Sequence, residues 1–212
     1  RNREKYPRRM NGIVKIPSPA NEPVKAYAPG SSETKSLKET LSNMRNSTVD
    51  IPMYIGSEEV FTDQKVSMHP PHDHGHQLGT YNKGNAEHVK KAIDAALAAK
   101  DEWANMPWES RAAIFLKAAD LIAGPYRDKI NASTMLAQSK NAMQAEIDAA
   151  CELIDFFKFN VNYMSEIYAE QPPANSPGVW NQLEYRPLEG FVFALSPFNF
   201  TSIAANLCGT PA

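Results

Sequence analysis

The sequence predicts an α/β protein, because a series of helical segments precedes one strand with the character of a buried parallel strand. That strand is "FVFAL", residues 191–195, a short and continuous apolar run. The dipeptide Ser196-Pro197 ends it, and a helix-like run resumes at Ile203. A single parallel strand cannot form a sheet, so its neighbours must come from further chain or from another subunit.

Helical segments occupy most of the region before this strand. Apolar residues at helical spacing predict helices over residues 33–46, 86–105 and 142–168, with one closed by Gly124-Pro125 and one over 125–137 between them. Asn85 is a suitable N-cap for the second helix, and Pro107 ends it. In the second helix one face carries Val89, Ile93, Leu97 and Trp103. In the long helix the residues spaced for burial are Ile147, Cys151, Ile154, Phe157 and Val161.

Two further segments have the features of β-hairpins. "IPMYIGSEEVFT" alternates apolar and polar residues around Gly56, which predicts a hairpin from Ile51. Residues 171–187 contain a strand-like core at 179–185, which predicts an exposed hairpin whose edge needs a partner. Residues 1–32 are rich in proline and poor in large apolar side chains, so we expect an extended arm there.

Composition and charge narrow the possible classes of function. Lys and Arg total 22 against 24 Asp and Glu, a formal charge of -2 without a long run of one sign, which argues against a nucleic-acid partner. No apolar run reaches the roughly 18 to 20 residues of a membrane span. Cys151 and Cys208 lack C-x-x-C spacing and are expected to be free core thiols. The basic start, residues 1–9, is either the remnant of a transit peptide or a solvated end.

Two motifs imitate binding sites. "HPPHDHGH", residues 69–76, brings four histidines together, as a zinc or copper site does. Its prolines and glycine, and the lack of a distant ligand pair to close the site, favour a solvated turn, so we predict no metal and hold a histidine metal module as the weakest hypothesis. "GTYNKGN" has glycines at phosphate-loop spacing, but Asn85 stands where that loop needs lysine.

Glu152 and Asn199 are the candidates for chemistry. Glu152 lies beside the apolar stripe of its helix, so its carboxylate either belongs to the solvated face or faces a polar pocket, where it would hold an ammonium group. Asn199 follows the end of a strand, the position where open α/β sheets bind ligands. Its amide either donates to an oxyanion or caps the next helix.

"EGFVFALSPFNFTSIAANLCGTPA" resembles the strand, turn and helix that open the cofactor domain of aldehyde dehydrogenases. "NEPVKAY", "AIDAALAAKDEWANMPWESRAAIFLKAADLIAGPYR" and "QAEIDAACELIDFFKFN" resemble one branch, the mitochondrial delta-1-pyrroline-5-carboxylate dehydrogenases. The resemblance begins at about Asn21 and implies the amino-terminal part of that fold, with a Rossmann-like NAD domain. Residues 1–50 would form the arm and a short helix, 51–170 a hairpin and the helical part of the NAD domain, 171–187 an oligomerisation hairpin, and 188–212 the first core strand and a helix start.

The resemblance also implies an activity, the NAD-dependent oxidation of L-glutamate 5-semialdehyde to L-glutamate in proline breakdown, by a homo-oligomer of the mitochondrial matrix. A cysteine thiolate attacks the aldehyde, hydride passes to NAD, and a glutamate-assisted water releases the acid. Asn199 matches the oxyanion-hole residue, Phe200 an aromatic wall of the substrate pocket, and Glu152 the acid that meets the amino-acid end. Leu195, Ser196, Pro197 and Phe198 match the turn that packs against NAD.

The chain departs from this family in two respects. The family's nucleophilic cysteine and deacylating glutamate lie beyond the position of Ala212, and neither cysteine present suits the role, so the isolated chain is expected to be inactive. Residues 193–205 are also heavier than the glycine-rich family pattern, which bears on how closely NAD approaches; the residues concerned are Phe193, Leu195, Ser202, Ala204 and Ala205. The alternative hypothesis is a truncated paralogue without catalysis that acts as a scaffold or binding subunit.

Overall fold

The computed structural model describes residue 12, residues 14–210 and residue 212, without the side chain of Cys208. The basic start at residues 1–9 therefore lies outside the described residues. The elements in chain order are α1 (Ser32–Arg45), β1 (Val49–Ile51), β2 (Met53–Ile55), β3 (Glu58–Val60), β4 (Lys65–Met68), β5 (Gly79–Asn82), α2 (Ala86–Asn105), α3 (Trp108–Ala123), α4 (Arg127–Gln138), α5 (Ala142–Ala145), a π-helical segment (Glu146–Cys151), α6 (Glu152–Ala169) and α7 (Ala205–Gly209).

The β structure is a predicted hairpin and an unpredicted small sheet. Strands β2 and β3 pair antiparallel around Gly56, whose φ of 61° suits glycine, so the predicted hairpin is present. It begins at Met53, because Ile51 belongs to β1 and pairs with β5. The sheet has the order β1-β5-β4, with β5 parallel to β1 and antiparallel to β4. Gly79 begins β5 at a close approach, since a Cβ there would lie 2.0 Å from the carbonyl oxygen of Val49. Only glycine permits this pairing.

The predicted helices are present with their expected caps. The side chain of Asn85 accepts hydrogen bonds from the amides of Glu87 and His88, so α2 begins where the sequence predicts. The apolar face of α2 is not buried, since Val89 is 60% exposed and Leu97 is 43% exposed. Among the described elements α2 lies mainly against strand β2, which is too short to cover its apolar face.

The core lies between α3 and α6, while α1 packs on α4. Its buried members are Ala119, Ala150, Leu153, Ile154 and Phe157. The rings of Phe115 and Phe157 meet edge to face with centroids 5.6 Å apart. None of the described helices has the length and apolar character needed to cross a membrane.

A π-helical segment interrupts the long helix that the sequence predicts over 142–168. Hydrogen bonds from i to i+5 place more residues in each turn than an α-helix has, so the faces of the helix shift there. Glu146 is consequently fully buried, and Ile147 is 40% exposed. The burial predicted for Ile147 is wrong, whereas that of Cys151, Ile154, Phe157 and Val161 is confirmed.

Residues 170–204 contain neither helix nor strand. The strands expected at 179–185 and 191–195 have no β ladder here, because no described strand lies beside either segment to accept and donate the hydrogen bonds. The two limbs of the predicted 171–187 hairpin do meet, but through a side chain. Gln171 accepts from the amide of Leu183 at 2.8 Å and donates to its carbonyl at 3.2 Å.

Candidate active site

The turn that follows residue 195 is fixed to α4, to the loop after α4 and to the π-helical segment by three hydrogen bonds. Gln138 Nε2 donates to the carbonyl of Phe198 at 3.3 Å, and Lys140 Nζ donates to the carbonyl of Asn199 at 3.1 Å. The hydroxyl of Ser202 donates to the carbonyl of Ala149 at 2.7 Å. The structure therefore brings the turn close to the acidic helix, which is the π-helical segment together with α6. Ser202, one of the residues heavier than the family pattern, forms a hydrogen bond within the fold.

Lys140 connects the turn after residue 195 to the π-helical segment. Its ammonium group forms an ion pair with Asp148 at 2.8 Å and lies 4.3 Å from the ring centroid of Phe200. Lys140 lies in the loop between α4 and α5, next to Ser139, whose φ of 56° is left-handed. The role of Lys140 could not be predicted from the sequence, because a lysine in a loop has no periodic pattern that indicates its contacts.

Glu152 begins α6, one helical turn after Asp148, and is partly buried. Burial raises the pKa of its carboxyl above the usual range, the charges of Asp148 and Asp155 act in the same direction, and Lys140 opposes them. Within the described part of the chain, no hydrogen bond or ion pair reaches this carboxylate. Its environment favours the approach of a cation.

Asn199 is exposed in the turn, and the structure excludes one of its two predicted roles. Helix α7 begins only at Ala205, its N-cap is Ala204, and no side chain caps it. The capping role predicted for Asn199 is therefore wrong. None of the described residues bonds to its side-chain amide, so the amide is available to a ligand.

The segment expected to face a cofactor, residues 195–198, is an exposed apolar turn. Leu195 is 78% exposed and Phe198 is 96% exposed, with Ser196 and Pro197 also exposed between them. Phe200, expected to form a wall of the substrate pocket, is partly buried beneath the ammonium group of Lys140. Contact between this turn and NAD stays a prediction.

Cys151 is a buried thiol, as predicted from its helical position. It is 4% exposed, and burial, followed by the charge of Glu146, raises the pKa of its thiol to about 12. A thiol in this environment does not serve as a nucleophile. The side chain of Cys208 lies outside the described residues, and its predicted burial stays a prediction.

The histidine-rich stretch forms turns between β4 and β5. His72 Nδ1 lies 2.7 Å from the hydroxyl of Ser139, and the adjacent Asp73 forms an ion pair with Arg45 at 2.6 Å. In the residues that the structure describes, no three His, Cys, Asp or Glu side chains are grouped so that they could hold a metal ion. The stretch instead ties the end of α1 to the region after α4.

Comparison with known proteins assigns the class. Residues 60–211 match the sequence pattern of the aldehyde dehydrogenase family, and the chain belongs to that family. It is 55% identical over 199 residues to the delta-1-pyrroline-5-carboxylate dehydrogenase of Agaricus bisporus, covering 93% of this chain and 36% of the relative. It is 48% identical over 193 residues to the mitochondrial human enzyme of that name, covering 91% of this chain and 34% of the relative. The chain thus spans about a third of the length of these curated relatives.

Solved structures agree with this assignment. The crystal structure of the delta-pyrroline-5-carboxylate dehydrogenase from Mycobacterium tuberculosis bound with NAD superimposes with a TM-score of 0.91 at 47% identity. The match covers 94% of this chain and 38% of that chain. The predicted α/β fold class and the resemblance to the amino-terminal part of an aldehyde dehydrogenase are both confirmed.

Proposed function

We propose that this chain forms the amino-terminal part of an NAD-dependent dehydrogenase that oxidises L-glutamate 5-semialdehyde to L-glutamate in proline breakdown. The observation that carries the proposal is the identity of 48–55% with delta-1-pyrroline-5-carboxylate dehydrogenases over more than nine-tenths of the chain. The grouping of an acidic helix with the turn after residue 195 supports it, because this grouping offers separate sites for the two ends of an amino-acid aldehyde.

The amino-acid end of the substrate meets Glu152. Its partly buried carboxylate has Asp148 and Asp155 as acidic neighbours, whose effect Lys140 partly offsets. An ammonium group placed there forms a charge-assisted hydrogen bond and relieves the repulsion between the carboxylates. Phe200 supplies an apolar wall for the methylene groups between the two ends of the substrate.

The aldehyde end meets Asn199. When a thiolate adds to the aldehyde carbon, the carbonyl oxygen gains a negative charge, and the side-chain amide of Asn199 donates to it. Lys140 holds the main chain of Asn199 in place through the hydrogen bond to its carbonyl. Cys151 is buried and stays protonated at neutral pH, so the attacking thiolate is not Cys151.

Residues 195–198 would hold NAD, which accepts the hydride of the aldehyde carbon when it is bound. The apolar side chains of Leu195 and Phe198 would cover the nicotinamide end and exclude water from the reacting atoms. In the chain by itself these two side chains are 78% and 96% exposed.

We further propose a homo-oligomer in the mitochondrial matrix. The segment 179–185 exposes Trp180 at 87% and Val179 at 54%, and strand pairing with a second copy would satisfy the backbone groups along its edge. Relatives from Dictyostelium discoideum and human are named mitochondrial. The isolated 212 residues are expected to be inactive.

The test combines an intact mass with an assay on the native protein that contains this chain. We expect a mass above twice 23.5 kDa and NADH formation that depends on glutamate semialdehyde. The 212-residue fragment alone serves as the negative control. A native mass near 23.5 kDa with no NADH formation would contradict the proposal and favour the scaffold subunit, whose exposed residues 179–198 would then bind a partner.

A further inference from the structure

Residues 21–27, which we call the arm clamp, cross the helix that carries Glu152 at two positions. On one side of Glu152, Asn21 Nδ2 and the amide of Glu22 donate to the carboxylate of Asp155 at 2.8 and 2.7 Å. On the other side, the amide of Lys25 donates to Glu146 at 2.8 Å. Glu152 therefore lies between two attachment points of the arm.

Glu146 is a fully buried carboxylate whose oxygens are occupied by hydrogen-bond donors. Tyr27 OH and Asn131 Nδ2 each donate to it at 2.8 Å. Arg127 adds two donors, Nε at 3.2 Å and Nη2 in a very short contact. A buried charge persists only when it is paired and hydrogen-bonded to this extent, so removal of one donor is felt at the carboxylate.

Arg127 ties the arm clamp to the same carboxylate. It is 2% exposed, and its Nη1 donates to Glu22 at 2.6 Å while Nη2 donates to the carbonyl of Pro23 at 2.8 Å. Glu22 also forms an ion pair with Lys158 on α6 at 2.9 Å. The arm, α4 and α6 thus share one hydrogen-bonded network.

Tyr27 has a backbone conformation that shows how firmly the clamp is held. Its φ of 49° is left-handed, which costs a residue other than glycine free energy and persists only where the surroundings enforce it. Its hydroxyl donates to Glu146 and accepts from Asn131 at 3.0 Å. These contacts aim the side chain at the first residue of the π-helical segment.

The π-helical segment links the clamp to Glu152. It begins at Glu146 and ends at Cys151, directly before Glu152. Because a π turn holds more residues than an α turn, its presence sets the direction in which the following side chains leave the helix. The hydrogen bonds to Glu146 fix where the π turn begins. The hydrogen bonds from the arm to Asp155 hold α6 on the far side of Glu152.

We infer that the arm clamp positions Glu152, with Asn21, Tyr27 and Arg127 as positioning residues that set affinity for the amino-acid end of the substrate. This inference rests on the proposed function, in which Glu152 meets the ammonium group. The clamp does not touch the aldehyde end, so its loss should alter selectivity between aldehydes more than the chemistry they share.

The test uses the native-length protein with Tyr27→Phe and Asn21→Ala, and Tyr54→Phe as the matched control. Tyr54 also donates to a glutamate, Glu59 at 3.0 Å, but on the exposed hairpin. For each variant, kcat/KM is measured with glutamate semialdehyde and with an aldehyde of equal length that lacks the ammonium and carboxylate groups. Hydrogen exchange of the amides over 146–155 is measured alongside.

We expect Tyr27→Phe and Asn21→Ala to lower the ratio of the two kcat/KM values roughly fivefold, mainly through KM. This is less than a direct hydrogen bond to a charged group contributes, because neither residue touches the substrate. Amide exchange over 146–155 should quicken in these two variants, and Tyr54→Phe should change neither readout. Unchanged exchange, or equal loss on both aldehydes, would overturn the inference. A wild-type protein inactive on glutamate semialdehyde would instead contradict the proposed function. Hydrogen exchange over 146–155 would still test whether the arm clamp holds this part of the helix.

Discussion

Lys140 contacts both Phe200 and its neighbour Asn199, with its ammonium nitrogen 4.3 Å from the Phe200 ring centroid and 3.1 Å from the carbonyl oxygen of Asn199. The same nitrogen lies 2.8 Å from Asp148. One cation therefore connects the acidic helix to the turn on which the proposed oxyanion donor sits. This connection makes the two halves of the site depend on each other.

Replacing Lys140 with methionine should lower kcat about tenfold in the native-length protein, because the amide of Asn199 loses the anchor of its main chain. Lys65→Met is the matched control, since it removes a similar ion pair with Asp50 on the small sheet. Both variants should lose no more than about 1 kcal/mol of unfolding free energy. Steady-state kinetics and urea unfolding give both quantities, and an unchanged kcat in Lys140→Met would remove Lys140 from the site.

Asn199→Ala should separate catalysis from stability. We expect kcat to fall by about 10²–10³ through loss of the oxyanion donor, with an unchanged free energy of unfolding, because the Asn199 side chain is exposed and caps no helix. Asn85→Ala is the converse control. It should cost about 1 kcal/mol through loss of the α2 cap, with kcat unchanged. If Asn199→Ala destabilises the protein and spares kcat, the proposed role is wrong.

The buried Glu146 predicts an acid-sensitive fold. Burial alone would raise its pKa, but the hydrogen bonds from Arg127, the Lys25 amide, Tyr27 and Asn131 lower it to about 2, from an ordinary value of 4.5. The folded state therefore binds a proton at Glu146 less readily than the unfolded state. Its stabilisation is complete above pH 4.5 and is lost as the pH falls toward 2.

Urea unfolding at a series of pH values between about 5 and 3 measures this loss. A Glu146→Gln variant, which cannot titrate at that position, should lose less stability than the wild type over the same interval. Glu22, whose pKa is also lowered through Lys158 and Arg127 against the effect of burial, contributes to the slope that remains. Parallel curves for the two proteins would show that Glu146 is not the source of the acid sensitivity.

The helices were predictable because their information is local. Asn85 caps α2, and Gly56 forms the turn of the hairpin, so a few neighbouring residues determine each of these features. The sheet β1-β5-β4 was missed because its strands have only three or four residues and pair across the long stretch between Ile51 and Gly79. No local pattern encodes such a pairing.

Glu146 and Ile147 show where helical periodicity fails to predict which side chains are buried. A spacing of 3.6 residues puts Ile147 on the buried stripe and Glu146 in solvent, and the π-helical segment reverses both. The partners that make this reversal favourable, Arg127 and the arm at Lys25 and Tyr27, are distant in sequence. Of the site, Glu152 and Asn199 could be proposed from the sequence, while Lys140 needed the three-dimensional contacts.

The most direct test of the account is the selectivity of Glu152→Gln in the native-length protein. The measurement is kcat/KM for glutamate semialdehyde and for an aldehyde of equal length without the ammonium and carboxylate groups. We predict a fall of about 10- to 100-fold for the first substrate, the range of a hydrogen bond between charged groups, and a change within about twofold for the second. An equal fall for both aldehydes, or no fall for either, would contradict the assignment of Glu152 to the ammonium group.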